Sequence, residues 1–194
     1  EAAFFTTGGL AAVHSKARDR NSIWEGLTKK ETYGTSGDRI LLWFDLIREN
    51  AIFPMGSTTS QTQNPVFRVK AVGAFEQKPG CPDYSSTNIT DEEIERICKN
   101  ECYNPSDKRK NISRIEVIKI TPQKSPEESV DDLIFDVWKS FDCKPSQQGC
   151  QFEFTDDEFS KQSRDSIYYV RAIQEASPVV NAGNLRCSYN EKGE

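Results

Sequence analysis

The chain of 194 residues contains a single histidine, His14. That scarcity excludes a good deal of chemistry. An HExxH helix and a multi-histidine metal centre need imidazoles that are not there. A Ser/His/Asp triad would have to be built on His14, whose only nearby candidate partners are Ser15 and Asp19. A lone imidazole does not make a site, so His14 is expected to be structural. The sequence has no GxSxG elbow and no GxxxxGK[ST] phosphate loop. It has no CxxC pair either, which leaves a thiolate zinc site unsupported. No apolar run approaches the roughly 18 residues of a membrane-spanning helix. Basic residues number 25 against 30 acidic ones. A net charge of −5 and a pI near 5.1 argue against nucleic acid and anionic membranes as partners.

Cysteine, by contrast, is well represented: Cys81, Cys98, Cys102, Cys143, Cys150 and Cys187. An even number in a loop-rich acidic chain favours disulfides over buried free thiols, and with them a periplasmic or extracellular location. Cys143 and Cys150 flank the turn-rich residues 144–149. If the strands on either side form a hairpin, the two cysteines face each other at its mouth. The Cα separation there, about 5.5 Å, suits a disulfide. Cys81 precedes a predicted helix on which Cys98 and Cys102 share a face, so either of them can meet it. Cys187 is left unassigned.

Apolar residues make up 36% of the chain and charged residues 28%, a globular balance. Asp19 is a plausible N-cap for a helix over residues 20–30, with Ile23, Trp24 and Leu27 on one face and Lys29 and Lys30 in its last turn. Gly34 and Gly37 bracket a turn before a strand over residues 39–47 that is apolar on both faces. Residues 66–75 alternate, with Phe67, Val69 and Ala71 opposed to Arg68 and Lys70. Thr90 and Glu93 form a capping box that opens a short helix over residues 91–100. Further strands are predicted over residues 112–121, 133–141, 151–154 and 166–174. Leu42, Ile115, Val117, Val137 and Tyr169 are expected in the core. About six short strands separated by turns predict a mixed α+β class, mainly β, with an antiparallel β-sandwich-like domain.

The candidate binding element is Thr35-Ser36-Gly37 with Arg39. A glycine-bounded hydroxyl turn exposes backbone N–H groups, and an arginine beside it can hold an anion bidentately. The plainer reading is a turn closed by side-chain-to-backbone bonds, with Arg39 in a salt bridge. Asp156-Asp157-Glu158 lacks the ligand spacing of an EF-hand loop and reads as a solvated turn.

Several stretches together carry a resemblance: Gly8-Gly9-Leu10, Arg20, Ile23-Trp24, Leu27, and Glu31-Thr32-Tyr33-Gly34-Thr35-Ser36-Gly37 with Arg39. Pro54-Met55-Gly56, Ile115-Glu116-Val117, Trp138, Cys143, the run over residues 164–172 and Leu185-Arg186-Cys187 extend it over nearly the whole chain. The pattern resembles a family of bacterial proteins of unknown function related to PHP-type (polymerase and histidinol phosphatase) metallohydrolases. Asp38 stands where that family usually has proline.

The resemblance implies that the chain is the C-terminal portion of a longer protein whose metal ligands lie upstream of Gly8. Residues 1–38 would then be the end of a PHP-like α/β domain, helix plus turn, and residues 39–194 the β-sandwich-like domain. The upstream domain of the same protein would be the partner, bearing a divalent metal and acting on a small-molecule substrate of unknown identity, with no cofactor in this chain. This portion would be non-catalytic, inactive alone, and would complete or stabilise the hydrolase. The 35–39 turn would approach the mouth of the upstream site. The alternative is a binding or interaction module with no role in chemistry.

Overall fold

The computed structural model describes residues 8–49, 51–98 and 102–177. Two capped helices appear where the sequence signals them. Asp19 Oδ1 accepts the Ser22 N–H at 2.9 Å and starts α1 (Arg20–Thr28). The Thr90 Oγ1 accepts the Glu93 N–H at 3.2 Å, while Glu93 Oε2 accepts the Thr90 N–H at 3.1 Å, and this reciprocal pair starts α2 (Asp91–Cys98). Helix α1 stops earlier than predicted, because Lys29 is its C-cap and Lys30 turns to a φ of 60°. Residues 99 and 100, where the second helix was expected to end, lie outside the described residues, as does Cys187.

Eleven strands are described, and every pairing between them is antiparallel. They are β1 (Leu10–Val13), β2 (Thr32–Thr35), β3 (Leu41–Arg48), β4 (Ala51–Pro54), β5 (Val66–Val72), β6 (Phe75–Gln77), β7 (Pro105–Arg109), β8 (Ile112–Ile120), β9 (Ile134–Asp142), β10 (Cys150–Thr155) and β11 (Ile167–Gln174). A four-stranded sheet runs β10-β5-β3-β4 and a three-stranded sheet β11-β8-β9. The pairs β1-β2 and β6-β7 form two small ribbons. The fold is thus mainly β. Among the described residues, no helix is long and apolar enough to cross a membrane.

One buried cluster takes side chains from both larger sheets: Leu42, Phe44, Phe67, Val69, Ala71 and Phe154 from the first, Ile112, Ile115 and Val117 from the second. Aromatic rings from the two sheets meet within it. Phe67 lies 4.6 Å from Tyr168, Trp138 6.2 Å from Phe154, and Phe141 4.9 Å from Phe152, centroid to centroid. Each fully buried large apolar side chain contributes about 1.5–3 kcal/mol, and offset ring pairs add to that. The predicted alternation of β5 is the observed one: Phe67, Val69 and Ala71 are buried and Lys70 is exposed.

Two expectations are corrected. Val137 and Tyr169 are exposed, at 43% and 41%, although Leu42, Ile115 and Val117 are buried as expected. In β9 the pairing with β8 slips: Val117 faces Lys139, but Lys119 faces Phe135. Two extra residues on β9 interrupt the pairing between Lys139 and Phe135, the stretch that holds Val137, while Trp138 and Phe141 pack on the core. Tyr169 lies opposite Ile118, on the outer face, while its neighbours Tyr168 and Val170 pack inward.

Both disulfides form, and one of them for a different reason than expected. Cys81 pairs with Cys102, Cα to Cα 4.8 Å, and Cys143 with Cys150 at 5.8 Å. The strands flanking Cys143–Cys150 do not form a hairpin. β9 belongs to the three-stranded sheet and β10 to the four-stranded one. The bond therefore ties one sheet to the other.

Candidate functional site

The 35–39 turn links β2 to β3, and two small fixtures set its shape. Tyr33 donates its hydroxyl to Ile40 O at 2.9 Å, which closes the loop from strand to strand. Gly37 has a φ of 130°, a backbone state that only glycine adopts without strain. Its N–H lies 3.3 Å from Thr35 Oγ1, a long bond at the edge of the useful range. Gly34, expected to share the turn, instead lies within β2 opposite Ala11.

Asp38 is the best-connected residue of the turn. Its Oδ2 accepts from both Gln174 Nε2 and Ser177 Oγ. Gln174 in turn uses its carbonyl oxygen to accept the Ala74 N–H at 3.0 Å. One amide side chain thus joins the turn, the link between β5 and β6, and the end of β11. In the sequence Asp38 stands out only where the resembling family has proline, since its partners lie more than a hundred residues away.

The four candidate residues divide between two clefts. Thr35 and Ser36 line a cleft of about 520 Å³ between the turn and the end of β11, together with Asp38, Gln174 and Ser177. Gly37 and Arg39 line a smaller one of about 170 Å³, with Phe75 and Tyr103. The Arg39 guanidinium lies 3.7 Å over the Tyr103 ring, a cation–π contact. The hydroxyls and the arginine therefore face different spaces, and the larger cleft carries a carboxylate beside its hydroxyls.

His14 occupies a structural place. Its Nε2 donates to Leu42 O at 2.8 Å, and its ring lies 5.6 Å from Tyr33 and 5.8 Å from Trp43. Nearby Asp45 is pushed up from the usual carboxylate range by burial, against the pull of the Arg68 and His14 charges. Among the described residues, no three His, Cys, Asp or Glu side chains are placed to hold a metal ion together. The His14 imidazole is committed to a backbone carbonyl and the most buried aspartate to a lysine.

That aspartate is Asp156, which the sequence reading placed in a solvated turn. It is 1% exposed and forms a buried cluster with Lys119, itself 3% exposed. Lys119 Nζ donates to Asp156 Oδ2 at 2.5 Å, Tyr168 donates its hydroxyl to the same oxygen at 2.6 Å, and the Glu158 N–H reaches Oδ1 at 3.1 Å. Burial pushes the Asp156 carboxyl up, but these donors and the Lys119 charge together hold it below its usual range. Burial, with the neighbouring carboxylate, pushes the Tyr168 phenol far up, so it stays protonated. A signal existed in the sequence. Asp156 continues the inward period of Phe152 and Phe154, and Lys119 continues that of Ile115 and Val117.

No curated protein and no solved structure matches the chain. Residues 1–77, which end with β6 and contain the whole 35–39 turn, match the model of a family described as "Protein of unknown function (DUF3604)".

Proposed function

We propose that this chain is a non-catalytic portion of a larger metal-dependent hydrolase related to the PHP type, and that it completes or stabilises the enzyme. The observation that carries this reading is the outward apolar stripe of α1. Trp24 is 70% exposed and Leu27 48% exposed, while the one buried residue of the helix is Gly26. A helix that turns its tryptophan to solvent and its glycine to its own sheet is suited to lie against a further surface. On this reading that surface is an upstream PHP-like α/β layer, to which residues 1–38 belong, and the two larger sheets form a β-sandwich-like domain behind it. The metal and its ligands reside in the upstream domain. The disulfides suit a periplasmic or extracellular setting.

The test has three parts. The gene segment preceding Glu1 is expected to encode an HxH-bearing strand, and a reading frame without one overturns the hydrolase reading. The full gene product is expected to hydrolyse a phosphoester probe such as p-nitrophenyl phosphate with added divalent metal, with this chain alone inactive. Trp24→Arg in the full protein should lower its thermal stability while leaving that of the isolated chain unchanged. Equal behaviour in both overturns the docking role of α1.

A second reading, a binding module without chemistry, rests on the cleft beside β11, where Thr35, Ser36 and Asp38 present hydroxyls and a carboxylate. That reading predicts no hydrolysis by the full protein and a loss of ligand affinity on Thr35→Val.

A further inference from the structure

We propose that Lys119 and Asp156 are a self-modification site, at which the lysine Nζ condenses with the aspartate Cγ to form an intramolecular isopeptide bond. The reaction needs an amine held against a carboxyl group, a donor for each carboxyl oxygen, and exclusion of water. The cluster supplies all three. Nζ and Oδ2 are 2.5 Å apart, with the two side chains 4% and 1% exposed. The Cγ lies one bond beyond Oδ2, within the reach of a near-attack arrangement. The Glu158 N–H at Oδ1 faces the oxygen on which negative charge develops once nitrogen has added to Cγ. Tyr168 places its hydroxyl on Oδ2, the oxygen that must depart. The Trp138 and Tyr168 rings wall the amine, their centroids 5.3 and 5.9 Å from Nζ.

The protons balance without any outside reagent. The ammonium passes one proton to Oδ2 across their hydrogen bond, leaving a neutral amine and a neutral carboxylic acid. Nζ then adds to Cγ, and the electron pair of the carbonyl goes to Oδ1. The nitrogen passes a second proton through the Tyr168 hydroxyl to Oδ2, which takes up Tyr168's own proton while Tyr168 accepts the nitrogen's. The Cγ–Oδ2 bond breaks, water leaves, and the carbonyl reforms as an amide that keeps one N–H. Nothing is oxidised or reduced. The product replaces two buried charges by a neutral amide, which removes the desolvation penalty that a buried ion pair carries.

The position of the bond agrees with a cross-tie. Lys119 is in β8 of the three-stranded sheet, and Asp156 directly follows β10 of the four-stranded sheet. Cys150, the first residue of β10, is already bonded to Cys143 just beyond β9. With the isopeptide in place, β10 is held covalently to the opposite sheet at both ends.

Intact-mass spectrometry of the reduced, denatured chain tests this directly. The expected mass lies one water below the sequence mass, and protease digestion should give a branched peptide that joins the Lys119 and Asp156 fragments. The unmodified sequence mass in folded, aged protein overturns the proposal. Lys119→Arg, checked for folding by circular dichroism, should have its full sequence mass. The same deficit in that variant places the lost water elsewhere and also overturns it. Tyr168→Phe should slow completion by a factor of about 10², and an unchanged rate overturns the tyrosine's part in the proton path.

Discussion

The two larger sheets and the β1–α1–β2 unit draw on the same kinds of residue and hold themselves together differently. In the sheets, stability comes from side chains of one layer meeting those of the other: Val69, Ile115 and Val117 have no solvent exposure. In the N-terminal unit the large side chains of the helix, Trp24 and Leu27, point away. Helix α1 approaches its ribbon through Gly26, and a Cβ at that position would lie 2.5 Å from His14 O and 2.7 Å from Val13 Cγ2. The helix is seated there on a backbone carbonyl and one small side chain. The difference teaches that burial and attachment are separate matters. The unit is joined to the sheets by two directional bonds, His14 to Leu42 O and Tyr33 to Ile40 O, and by the Tyr33 ring, which packs at the edge of the core they share.

The sharpest way to break that comparison is at the aromatic centre. Phe154 stacks on Phe44, lies tilted against Phe67 and Phe141, and meets Trp138 edge-on. Phe154→Ala is expected to cost about 3–5 kcal/mol in urea unfolding, and a loss under about 1 kcal/mol would show that the rings are not the core. Replacing Cys143 and Cys150 together by serine should cost about 2–3 kcal/mol by the same measurement. Gly26→Ala should cost about 1–3 kcal/mol, with the effect confined to the small unit. Hydrogen exchange should quicken over residues 10–35 and stay unchanged in β5 and β8; acceleration in β5 or β8 would mean the two regions share one cooperative unit.

Acid unfolding sharpens the comparison on the other side. Glu128 accepts from Arg164 Nη1 at 2.8 Å, and these hydrogen bonds hold its carboxyl down to about 2, from an ordinary value of 4.5. A carboxyl depressed in the folded state contributes stability above its unfolded value, and that contribution fades as pH falls from 4.5 toward 2. Glu128→Gln should flatten the stability profile in that window and leave its shape above pH 5 unchanged; an unaltered acid limb would remove the pair from the account. Trp24→Ala should change the stability of this chain by no more than about 0.5 kcal/mol, the smallest effect of the set.

Much of the strand content was legible, because inward positions repeat every second residue. The starts of β5, β8 and β11 fall within a residue of those predicted for the same reason. The shortest strands were not legible. β2 is four residues with a central glycine, and β4 consists of Ala51, Ile52, Phe53 and Pro54, too short to establish a period. Sheet membership was hidden as well. Residues 142–150 look like a hairpin connection, yet they cross between sheets, and only β10's pairing with β5, far back in the chain, decides it. The candidate turn was found by its glycine and hydroxyls. Its principal bonds, from Asp38 to Gln174 and Ser177, carry no local signature.

The excursion between β6 and β7 has a practical meaning for engineering. Those two strands pair with each other, and the chain leaves β6 at residue 78 and comes back to β7 at residue 104, at their open ends. The Cys81–Cys102 bond closes the neck of that excursion, and Lys78 N donating to Asn104 O at 2.7 Å reinforces it. The segment is therefore a display position: a foreign peptide grafted between the two cysteines would be presented as a closed ring on a ready-made stem, and the stem would tolerate changes in its length because loop closure cost grows only slowly with added residues.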